Sequence, residues 1–117
     1  MANAISRNRH FSSAMASATL KASAASGGAS VVAYLDRGLD DLDSWTGAEL
    51  AAGISRAIKT PGLHVLEVLV AFTSTSPQTC SISVDLVGSD GTAQNRRLSL
   101  SGAREDLRRV CFYVPVI

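Results

Sequence analysis

At 117 residues the chain has room for one domain, and its 46% apolar residues include only six Phe, Tyr or Trp, so Val, Leu, Ile and Ala must build the core. The net charge is +1 with 18% charged residues, below the usual quarter, which suits a surface partly covered by neighbours. Two cysteines exclude a disulfide-dense scaffold and a four-cysteine metal site, and no apolar run reaches membrane-span length, because Glu67 interrupts the longest candidate.

Residues 1–29 are rich in Ala and Ser, free of acids, and end in Gly27-Gly28. So few large apolar side chains cannot fold alone. The segment is expected to be an extended or partly helical arm ahead of a β-rich domain over 30–117. Its charged residues are Arg7, Arg9 and Lys21, with Arg7 and Arg9 near its start. Phe11, Met15 and Leu20 are its large anchors beside Ile5, expected to dock on a neighbouring subunit. A mitochondrial presequence, cleaved near Ala25 to Ala29, or a plain tail are the other readings.

"SVVAYLD", Ser30 to Asp36, predicts a strand. The following Asp-rich connector carries Asp36, Asp40, Asp41 and Asp43, weak candidates for a calcium site. Helix-start chemistry explains most of them equally well, because Thr46-Gly47-Ala48-Glu49 fits a capping box. Leu50, Ile54, Ala57 and Ile58 extend an apolar helical face as far as Lys59, and Pro61-Gly62 stops it.

From Leu63 to Thr73 both alternating faces are largely apolar. His64, Leu66, Val68, Val70 and Phe72 share one; Leu63, Val65, Glu67, Leu69 and Ala71 share the other. Such a strand is expected to be covered on both sides. A Ser/Thr/Pro connector then leads, as if through a hairpin, to a half-exposed strand with Cys80, Ile82, Val84 and Leu86 inward. Asp90-Gly91 marks a tight turn. "QNRRLSLS" and "RRVCFYVPVI" are the last strands, and Pro115 should lie at an edge or an end. The expected fold is mainly β with one helix, as an antiparallel sheet or incomplete β-sandwich of about five strands. An open sheet of that size has edges to pair, which favours assembly.

Charge runs basic, acidic, basic along the chain, which suits contact with nucleic acid by the ends or contact between copies. Arg96, Arg97, Arg104, Arg108 and Arg109 are the candidate contact residues. One Arg from each adjacent pair can share a sheet face. No phosphate loop, dinucleotide fingerprint or nucleophile elbow occurs. His10 and His64 lack ligand-spaced companions, and a Cys80–Cys111 bridge requires those strands to be neighbours. Neither catalysis nor a cofactor is expected.

Residues 63–117 resemble β-sandwich structural proteins of virions, particularly small auxiliary proteins of tailed phages. The likeness rests on "VLEVLVAFTSTSP", "SISVDLVGSDG", an Arg-containing strand and "CFYVPV". "SVVAYLDRGLDD" is similar to the strand and Asp-rich turn of small RNA plant virus coat proteins. The resemblance implies a non-enzymatic, multi-copy capsid, decoration or connector component of a virion, assembled in the host cytoplasm. Its partners would be copies of itself and other virion proteins, with nucleic acid as a further candidate and no membrane. Alternatives from other classes are a mitochondrially imported β-rich interaction protein and a nucleic-acid-binding module using the Arg clusters.

Overall fold

Alternating burial, the signature of strands packed on one face, runs through nearly every segment of the computed structural model, which describes residues 3–10, 18–36, 42–59, 62–89 and 91–116. Among these residues the chain forms nine strands and one helix. In order they are β1 (Asn3–His10), β2 (Ala18–Ala25), β3 (Ser30–Asp36), β4 (Leu42–Trp45), α1 (Gly47–Ala52), β5 (Ile54–Ile58), β6 (Gly62–Ala71), β7 (Gln78–Gly88), β8 (Ala93–Gly102) and β9 (Asp106–Val116). The fold is mainly β with one short helix, as the periodicities predict.

Two sheets face each other. One has the order β1-β9-β6-β3-β4, and the other β5-β2-β7-β8. All pairings are antiparallel except that of β1, which runs parallel to β9 at the sheet edge. Leu20, Val84, Leu86 and Leu100 from one sheet meet Leu66, Val68, Phe112 and Val114 from the other in a single core. Fully burying a side chain of this size contributes about 1.5–3 kcal/mol. Successive strands mostly change sheets; only β3–β4 and β7–β8 are hairpins within one sheet.

The expected arm boundary at residue 29 moves. Residues 18–25 are not an appendage but the strand between β5 and β7, with Ala18, Leu20, Ala22 and Ala24 buried. Alanine suits that position, because small side chains leave room for α1, which packs against β2. The Ala/Ser composition suggests an unfoldable segment only when its partners are left out of account. The β2–β3 turn needs Gly27: its φ is +58°, and a Cβ there would collide with the carbonyl of Thr79.

The helix is also shorter than predicted. Thr46 caps it, with Glu49 N–H donating to the Thr46 hydroxyl and Thr46 N–H donating to the Glu49 carboxylate, as the capping box requires. Gly53, at φ +91°, ends it after two turns, and Ile54–Ile58 pairs with β2 as an edge strand. Ile54 and Ile58 therefore share the inward face of a strand, and Ala57 points the other way. Leu50, 2% exposed, anchors α1 in the core.

Strands β6 and β7 do not form the expected hairpin. They lie in opposite sheets, and the Ser/Thr/Pro connector crosses the sandwich between them. Gln78 organises the crossing, its side-chain carbonyl accepting from the amides of Thr73 and Ser74. The extra strands, beyond the five expected, come from β2, β5 and the short β4, and from β1. Pro115 sits opposite Leu63, past the last β1 pair at His10 and Tyr113. Its missing N–H breaks no bond to β1 there.

Candidate assembly surfaces

Because β6 alternates strictly, the inward row is His64, Leu66, Val68 and Val70, and the outward row is Leu63, Val65, Glu67, Leu69 and Ala71. Register carries the outward row across the sheet. Val32 stands beside Leu69 and Arg109, Tyr34 beside Glu67 and Cys111, and Val65 beside Tyr113. The outer face of the five-stranded sheet is thus apolar along most of β3, β6 and β9. Leu63 and Leu107 are 59% and 39% exposed, and no described element covers the face. Among the described residues, the expectation that β6 is covered on both sides holds for the inner side only; α1 packs against β2 and β3 instead. A shallow groove of ≈ 260 Å³ crosses the face beside Val32, Leu69, Ala71, Leu107 and Arg109.

One ion pair sits inside this apolar field. Arg109 Nε donates to Glu67 Oε2 at 2.6 Å, and the two side chains are 47% and 29% exposed. The hydrogen bond to Glu67, followed by the nearby Cys111, pushes the Arg109 guanidinium above its ordinary value, so it stays charged at every accessible pH. Cys111, between these strands on the outer row, is nonetheless 1% exposed.

The outer face of the four-stranded sheet differs in kind. Ser23, Ser81, Ser83 and Ser99 surround Arg97 in a depression of ≈ 530 Å³. Its hydroxyls pair along the β7–β8 register, Ser81 with Ser99 and Thr79 with Ser101, both at 3.4 Å. Asn95 donates to Ser83 at 3.3 Å and also to Asp85. These groups satisfy one another.

At the β4/β5 side of the sandwich, charges point inward. Arg56 Nε lies 3.2 Å from Asp43 Oδ2, an ion pair without the alignment of a hydrogen bond, and its guanidinium stands 5.6 Å from the Trp45 ring centroid. Inward charge on short edge strands discourages pairing with a stray strand.

The candidate arginines do not gather. Arg97 and Arg109 lie on opposite outer faces. Arg96 and Arg108, one from each pair, both point inward but from different sheets, so no sheet face is shared. Arg108 stands 5.7 Å from the Phe72 ring and donates to the Ser101 carbonyl, bracing β9 against β8. Arg104, in the β8–β9 loop, contributes its amide to Ser74 O at 2.7 Å. A single phosphate-binding patch from all five is therefore not formed. Of the arm residues, Leu20 is core, Arg7 and Arg9 pair through their backbones with Val110 and Phe112, and Phe11 and Met15 lie outside the described residues.

Asp36 ends β3 and Asp43 belongs to β4, where it meets Arg56; Asp40 and Asp41 lie outside the described residues. Among the described residues, no three His, Cys, Asp or Glu side chains are grouped to hold a metal. Cys80 and Cys111 are free thiols in different sheets, which removes the alternative of a bridge. His64 is buried in the core. Glu67 is the residue that sequence reading left without a role. Its one visible signal was a lone charge in an otherwise apolar row. Comparison with protein-family models, curated proteins and solved structures gives no match to this chain.

Proposed function

We propose that the chain is a non-enzymatic structural component of a virion, whether capsid, decoration or connector, that acts by assembling in many copies. The apolar outer face of the five-stranded sheet carries this reading. With strands ~4.8 Å apart and ~3.3 Å per residue, β3, β6, β9 and their flanks frame roughly 600 Å² on one molecule. Even interrupted by the Glu67–Arg109 pair, a face of that size lies at the upper end of the largest apolar patches on typical monomers, about 300–600 Å², which are often functional. Support also comes from the low charged fraction and from the strand pattern of residues 63–117, which resembles virion β-sandwich proteins. Sedimentation velocity on the purified full chain, up to its solubility limit, should show concentration-dependent species far above the 12.2 kDa monomer. Electron microscopy of the same samples should show regular particles or arrays. A folded protein that stays monomeric throughout would overturn the reading.

A further inference from the structure

We infer that the apolar face of the five-stranded sheet docks on the same face of a second copy, about a two-fold axis running between β6 and β9. This rests on the assembly reading and names its first contact. The reason is the order of charges on the face. Glu67 lies on β6 and Arg109 on the adjacent β9, diagonal across the register. Face-to-face packing about an axis lying in the interface exchanges left and right. Such an axis, drawn between the two strands, lays β9 of one copy over β6 of the other and sets Arg109 against the partner's Glu67. On the outward rows of β6 and β9 Glu67 and Arg109 are the only charges, one of each sign, so the centre of the face complements itself in this arrangement. Sheets packed face to face sit ~10 Å apart with strands within ~30° of parallel, which suits a flat two-layer contact.

The energetics allow this contact. Each Glu67 carboxylate already accepts from its own Arg109, so covering the centre of the face leaves neither of these two ions unpaired, which is the usual penalty of burying charge. Around the pair, Val32, Leu69, Leu63 and Leu107 supply the apolar contact. Two faces of roughly 600 Å² bury roughly 1,200 Å² together, the lower end of what specific stable interfaces bury. An isologous contact of this kind closes on itself, so it yields a dimer, and larger assemblies need a second surface.

The test uses three variants of the full chain. Glu67→Arg makes the charged centre wholly positive, and Arg109→Glu makes it wholly negative. Each variant alone should dimerise about 100-fold more weakly than the parent, as one does when a close interfacial charge pair is made repulsive. Mixed in equal amounts, they should restore a dimer at near-parental affinity, since each then meets its opposite. A charge pair that acts only within one chain gains nothing from mixing. Leu69→Lys leaves the pair intact and should also dissociate the dimer while keeping a cooperative urea transition, which covers the case of a charge variant that fails to fold. If the parent assembles but Leu69→Lys, or both charge variants while folded, assemble as well as it does, the docking proposal falls and the assembly reading stands. Failure of the folded variants to recover dimer on mixing also overturns it. A parent that is monomeric at all concentrations sinks both.

Discussion

Cys80 and Thr46 show how much one side chain can report. The Cys80 thiol is fully buried on β7, and burial pushes its pKa above the ordinary 9.0 because the thiolate would lose its hydration. The unfolded chain therefore releases this proton at lower pH than the folded one. Its contribution is intact below the ordinary thiol value and declines as pH rises toward the elevated folded value. Urea midpoints recorded from neutral to strongly alkaline pH should fall less steeply above that value in Cys80→Ala than in the parent. Equal slopes would mean that the thiol is not the group responsible. At Thr46 the reciprocal hydrogen bonds with Glu49 end in a change of stability rather than of charge. Thr46→Ala should cost about 1 kcal/mol, the usual worth of such a cap, and Thr46→Ser should restore most of it. An unaltered denaturation midpoint in Thr46→Ala would show that the two-turn helix does not need its cap.

Strand β2 is the element on which sequence and structure differ most, and it makes a sharp prediction. Deleting residues 1–10 removes β1, which pairs only with β9, and should leave a cooperative unfolding transition. Deleting residues 1–29 also removes β2 and uncovers Ile58, Val84 and Leu86, so the remainder should lack a cooperative transition and dispersed amide resonances. A folded 30–117 fragment would return these residues to the status of an arm. The reason β2 was illegible is physical. Thr19, Lys21, Ser23 and Ala25 point to water, and three of the four inward residues are alanines, so the period-two contrast is faint. Strong contrasts were legible. The rows of β6, the inward residues of β7 and the two leucines of β8 fall on the faces their alternation predicts. The capped start of α1 was legible from four residues, but its end was not. An apolar set at i, i+4 and i+8 also fits one helix face, and only the pairing of β5 with β2 decides in favour of a strand.

At the scale of the molecule, the candidate surface could not be read from any one segment. It is made by register: Glu67 and Arg109 are 42 residues apart and meet because β6 and β9 align Leu69 with Arg109. The same pairing that creates the surface also governs how the chain reaches its native state. Because the connections switch sheets so often, β6 must find β9 and β2 must find β7 across long stretches of chain. Loops of that length cost entropy before any contact compensates for it. Only the β3–β4 and β7–β8 hairpins can close early. Refolding after dilution from urea should therefore take milliseconds to seconds, as for other sandwiches dominated by distant pairings, and a microsecond relaxation would contradict the topology. During that interval the apolar strands β6 and β7 are exposed with open edges. On the proposed assembly reading, the delay before β6 and β9 pair is the window in which the wrong partner competes with the right one.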